Sequence, residues 1–195
     1  TGYLFQTYGI YAVLASTVEI VASNFSSNYL NGAYMIAILD TCFVTITQTE
    51  ISGNQVVPED FDSSILYVAN AQVKELNIIA TKNSFISYGS GASLVSLSTG
   101  CTYLNSYQIT FTGNFLQNDG ASAFNSLSAI VFVDSTFSDN NITEFSNLFY
   151  LTNTITISLN NTVFSGNTLY GLDGETSAPT TIFYTDPAGF TLNNS

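Results

Sequence analysis

Arginine, histidine and tryptophan are missing from this 195-residue chain, and Lys74 and Lys82 are its only basic side chains against fourteen acidic ones, a net charge of −12. Phosphate binding needs clustered cations, so a nucleic-acid partner is excluded. Anionic membrane surfaces are disfavoured for the same reason. Long apolar runs are missing too. The longest, 33–39, falls far short of the roughly 20 residues of a membrane span, and 10–15 has no basic flank to make it a signal peptide and reads as a strand. No stretch combines helical periodicity with Ala, Glu, Lys and Leu, whereas Val, Ile, Thr, Tyr and Phe abound, which favours strands. With only 8% charged residues, the exterior must be built from Ser, Thr, Asn and Tyr, a neutral polar surface suited to glycans or to lateral packing against other chains.

What the chain has is a repeat. A hydrophobic residue followed three positions later by Asn recurs as Phe25 with Asn28, Ile51 with Asn54, Ala80 with Asn83, Phe111 with Asn114, Phe137 with Asn140 and Phe164 with Asn167. Successive Asn residues lie 26, 29, 31, 26 and 27 positions apart, a period that marks a solenoid. A seventh copy opens at Phe190. Ten residues before each Asn stands Val18, Val44, Val73, Leu104, Ile130 or Ile157, with Phe190 in that role in the last copy. Two positions on come Ile20, Ile46, Phe132, Leu159 and Leu192, the alternation of a strand with one buried face. The two middle copies read Val73, Leu76, Ile78, Ala80 and Leu104, Tyr107, Ile109, Phe111, so both shift phase earlier, as a shared bulge would. A second apolar run follows each turn, at 35–39, 65–68, 94–97, 121–127, 148–151 and 182–184, with 10–14 as the first counterpart. Between turn and run the length varies most, and Gly32, Pro58, Gly91, Gly120, Gly171, Gly174 and Pro179 collect there, so insertions gather on one edge.

The turn Asn residues, stacked in register, read as a ladder of side-chain amides, and Asn tolerates the left-handed backbone that turns demand. Sugar binding by that column is the alternative. Phe25, Phe111, Phe137 and Phe164 read as an aromatic column in the core. Four Asn-x-Ser/Thr sequons, at Asn24, Asn141, Asn160 and Asn193, are candidate N-glycosylation sites. Alternation points Asn24, Asn160 and Asn193 outward, and Asn141 lies just past a turn. Cys42 and Cys101 fall two coils apart in the register, about 9 to 10 Å at the α-carbons, too far for an unstrained bridge. Two free thiols are expected, with a disulfide through a local register shift as the alternative.

The Phe-x-x-Asn copies alternate with Asn31-Gly32-Ala33, Ser90-Gly91-Ala92 and Asp119-Gly120-Ala121. This pattern resembles the repeats of polymorphic membrane proteins, of other autotransporter-type adhesins and of repetitive cell-surface proteins in microbial eukaryotes, although the paired Gly of their second motif is reduced to one. The resemblance implies the pectin-lyase-like parallel β-helix superfamily and, by analogy, a cell-surface role. The anchoring barrel of an autotransporter is absent, so no outer-membrane attachment is implied.

Parallel β-helices also host polysaccharide lyases and glycosidases, which need a base or paired carboxylates. Here a base would have to be Lys74, Lys82, a carboxylate or Tyr, and Lys74 beside Glu75 reads as an ordinary solvated charge. The acids Glu59, Asp60 and Asp62, and Asp173 with Glu175, read as solvated loop acids, with Ca²⁺ ligation as the alternative. The expectation is therefore one domain over 1–195, an all-β, right-handed, single-stranded parallel β-helix of about seven coils of 26 to 31 residues. Its expected role is that of a non-catalytic, extracellular or cell-surface glycoprotein module, without a cofactor or membrane insertion. Its expected partners are glycans and further coils, from the same polypeptide or from identical subunits stacked head to tail. The alternative role is a carbohydrate-active β-helix.

Overall fold

The computed structural model describes residues 7–59, 61–98, 100–103, 107–152, 156–171, 180–186 and 191–194. Among them there is no helix, and the strands wind into a parallel β-helix with three faces. The first face stacks Thr7–Ala12, Ala33–Leu39, Ser63–Ala69, Ala92–Leu97, Ala121–Ser126, Asn147–Thr152 and Thr181–Asp186. The second stacks Thr17–Val21, Phe43–Ser52, Gln72–Thr81, Tyr107–Thr112, Ile130–Val133, Thr156–Asn160 and Thr191–Asn194. Four shorter strands, Asn24–Ser26, Thr102–Tyr103, Thr136–Ser138 and Val163–Ser165, complete its rungs. The third stacks Tyr29–Leu30, Gln55–Val56, Ser84–Ile86, Phe115–Gln117, Asn141–Thr143 and Thr168–Tyr170. Two faces thus carry seven strands each on their main path and the third carries six.

On the second face the inward set is the one the repeat implies: Val44, Val73, Ile130 and Ile157 are fully buried, as are Leu76, Ile78, Tyr107 and Ile109 to within 1%. Leu104 lies outside the described residues. The phase shift has a visible cause. In four copies a residue with left-handed backbone, Ala22, Gln48, Asp134 or Asn161, puts the strand out of step before its turn. In the third copy the shift falls earlier, between Val73 and Glu75, which face Val44 and Thr45. From there Leu76, Ile78 and Ala80 lie opposite Tyr107, Ile109 and Phe111, the shared register that stacking requires. Where Tyr107–Thr112 passes from pairing with Ile130–Val133 to pairing with Thr136–Ser138, the Ser135 hydroxyl fills the gap. It accepts from the Ile109 N–H and donates to the Tyr107 carbonyl.

The last rung corrects the expected register. Leu192 faces Ile157 and Asn194 faces Leu159, so Leu192, not Phe190, holds the position ten before the turn; Phe190 itself lies outside the described residues. The apolar runs of the first face do not alternate because two consecutive residues join one core: Met35 and Ile36, Ile65 and Leu66, Leu94 and Val95, Ala123 and Phe124, Leu148 and Phe149. The flanking Tyr34, Ser64, Ser93, Ser122 and Asn147 are buried too and stand in one register column.

Candidate functional site

The Asn column is a continuous ladder. From Asn28 to Asn167, each amide oxygen after the first accepts both the backbone N–H and an Nδ2–H of the Asn one coil earlier. Each Nδ2 after the first also donates to the carbonyl of the hydrophobic motif residue one coil back: Phe25, Ile51, Ala80, Phe111 and Phe137. Donor–acceptor distances across the Asn83 to Asn114 step are 2.9 and 3.0 Å. Asn54, Asn83, Asn114 and Asn140 are at most 1% exposed, and all four hydrogen-bonding positions of each amide are filled. Such a saturated, buried column has nothing left to offer a sugar.

The left-handed backbone is not on Asn, contrary to the sequence expectation. It is on the residue before it: Ser27, Gly53, Lys82, Gly113, Asp139 and Gly166 all have φ between 55° and 65°. Placing Asn one residue later frees its side chain to run along the stack. Gly113 tests this cleanly, because a Cβ there would meet nothing within 4 Å and only its φ of 65° opposes a side chain. Gly113→Ala should lose about 1 kcal/mol in urea unfolding, the cost of left-handed backbone alone; no loss would place the turn strain elsewhere.

Between the hydrophobic residue and the left-handed one stands a hydroxyl in every copy, Ser26, Ser52, Thr81, Thr112, Ser138 and Ser165, which face one another in register. Thr112 and Ser138 are 3.0 Å apart at their hydroxyls. Sequence reasoning passed over this column, although six hydroxyl residues in six copies were there to be seen.

The Phe column is aligned as expected, Phe25, Ile51, Ala80, Phe111, Phe137 and Phe164 standing rung on rung. Phe111 and Phe137 are fully buried, and Phe137 stacks on Phe164 at 5.3 Å and 11°. Phe25 and Phe164 are half-buried at the ends, and Ile51 and Ala80 separate Phe25 from the other rings.

Asn24 and Asn141 are exposed and Asn160 is half-buried; the side chain of Asn193 lies outside the described residues. Cys42 and Cys101 are free thiols with Ala71 on the rung between them, as Gln72 N–H bonds the Cys42 carbonyl and Thr102 N–H the Ala71 carbonyl. Cys42 is buried. Cys101 is half-buried, donates to the Val68 carbonyl at 3.1 Å, and burial pushes its thiol pKa up. Lys74 is half-buried with its Nζ 4.8 Å above the Phe43 ring, and so is less solvated than expected.

Asp60, Asp173, Gly174, Glu175 and Pro179 lie outside the described residues. Among the described residues no three of His, Cys, Asp and Glu come together. Two loop acids do share a cavity. Asp62 and Asp119 line a space of about 280 Å³ on the first face, with Gly89, Ser90, Gly91, Gly120, Asn125 and Tyr150. The Asp62 carboxylate accepts from the Gly91 N–H at 2.6 Å, which fixes one oxygen against the next coil. Tyr150 is held by stacking on Tyr184 at 5.0 Å and 8°. Across the register Tyr34 stacks on Tyr67 at 4.4 Å, and Ser96 and Asn125 stand on the two rungs between Tyr67 and Tyr150. No helix of the described residues is long and apolar enough to cross a membrane. No protein-family model matches the chain, and no curated protein or solved structure is significantly similar to it.

Proposed function

We propose that this β-helix is a non-catalytic, extracellular structural or adhesive module that carries N-linked sugar at the cell surface. The observation that carries this reading is where the polar side chains go. The periodic Asn amides are consumed in bonding one coil to the next, so the repeated chemistry of the chain builds a rod. The resemblance of its repeats to those of polymorphic membrane proteins and microbial cell-surface adhesins, within the pectin-lyase-like superfamily, agrees with that use. Its partners are further coils. Among the described residues the outermost strands, Tyr29–Leu30 and Thr168–Tyr170 on the third face for example, pair on one side only. Leu169, in register with the buried Ile142, is 42% exposed. Rungs from the same polypeptide, or from an identical subunit stacked head to tail, would cover these edges and prolong the ladder.

A carbohydrate-active module is the second reading, favoured by one observation: Asp62 and Asp119 line a single cavity on a strand face. Glycopeptide mass spectrometry of the native material decides first. At least two of the sequons Asn24, Asn141, Asn160 and Asn193 should carry sugar, and finding all four bare would remove the glycoprotein reading.

A further inference from the structure

The cavity on the first face exists because of glycine. Ser63, Ala92 and Ala121 stand in register, so the residues just before them, Asp62, Gly91 and Gly120, form a column in which only the first has a side chain. A Cβ on Gly91 would come within 3.2 Å of the Asp62 carboxylate and 3.7 Å of Asn125 Nδ2. Glycine at two successive rungs therefore opens the space, and these are the glycines of the Gly-Ala motif, which the coil-to-coil ladder does not use.

Charge and hydrogen bonding describe the occupant. The lining holds two carboxylates and no cation, and Lys74 and Lys82, the only bases of the chain, belong to the second face and its turn. Asp62 and Asp119 bring four carboxylate oxygens, one of them held by the Gly91 N–H, beside the neutral side chains of Ser90 and Asn125. Tyr150 supplies an aromatic wall held in place by Tyr184. Under this floor Ser122 has a fully buried hydroxyl with no partner among the described residues. Tyr34, in the register column of Ser122, stacks on Tyr67, in the column of Asn125, so Ser122 stands on the side of the sheet where Asn125 lines the cavity. Along its column Ser64 bonds Ser93 and Asn147 bonds Thr181, which leaves Ser122 alone between two satisfied pairs. A ligand that brings several donors and a positive charge suits the two carboxylates and the aromatic wall.

We propose that this cavity is a binding site for an alkylammonium group, such as a lysine side chain or an amino sugar, held by Asp62 and Asp119 against Tyr150. The inference rests on this geometry and holds whether or not the chain serves in adhesion. Isothermal titration of the intact chain with Nα-acetyl-lysine amide and with glucosamine, beside the uncharged Nα-acetylnorleucine amide and N-acetylglucosamine, tests it. Saturable binding of an ammonium probe, weakened by added salt and by about tenfold or more in Asp62→Asn and in Asp119→Asn, is the expected result. Whichever ammonium probe binds more tightly identifies the source of the cation. Equal binding of the uncharged probes, binding of Ca²⁺ but of neither amine, or no binding by any probe would overturn the assignment.

Discussion

Replacing Phe137 with alanine is expected to lower stability by about 3 to 5 kcal/mol, the upper range for truncating a buried aromatic. The magnitude follows from its place. Its ring lies 6.3 Å from Phe111, 6.4 Å from Phe124, 5.4 Å from Phe132, 5.0 Å from Phe149 and 5.3 Å from Phe164, so one truncation strips a neighbour from five rings. The rungs on either side are held by their own ladders and cannot close the void. Phe164→Ala, at the half-buried end of the column, should lose clearly less. Urea unfolding of the two variants is the measurement, and a loss within about 0.5 kcal/mol for Phe137→Ala would mean that the core is not built around this residue.

The other large effect is expected at Asn114. Asn114→Ala removes the acceptor shared by the Asn83 N–H and Nδ2, the donor to the Ala80 carbonyl and one of the two donors to Asn140 Oδ1. Several buried polar groups are orphaned at once, at about 1 to 3 kcal/mol each, so a total of about 3 to 5 kcal/mol follows. Asn114→Asp sharpens the test. A carboxylate can still accept from Asn83, but it sets a second anionic oxygen against the Ala80 carbonyl and Asn140 Oδ1, where Nδ2 used to donate. Burial, with no donor for that second oxygen, raises the carboxyl pKa in the folded state, so the loss should be greatest above that pKa. It should ease as pH falls through that pKa, because the protonated acid regains one donor. A variant whose stability deficit is flat with pH, or an Asn114→Ala protein as stable as the parent, would show that the ladder is ornamental.

Much of this was legible from residue spacing. The period of the Asn residues gives the coil length, the two-residue alternation of Val44, Ile46 and their counterparts gives the buried face, and the early phase shift of the two middle copies is readable from Leu76 and Tyr107 alone. Other readings failed for physical reasons. Phe190 lost its expected position to Leu192 because the number of residues between rungs, and not the motif, sets the register of a new rung. Left-handed backbone was expected at Asn, the residue type that tolerates it, but a side chain committed to bonds with both neighbouring coils needs extended geometry, so Ser, Lys and Asp as well as Gly take the strained position instead.

Strand, period, inward face and solenoid are therefore properties of the sequence by itself, because each depends on residues close together along the chain. Tertiary structure alone decided which nitrogen of each amide bonds which oxygen, and that Asp62, Gly91 and Asp119 meet around one cavity. Those partners are 26 or more residues apart in most cases, and their meeting depends on how loops of unequal length bring successive rungs into register, a quantity that no local pattern contains.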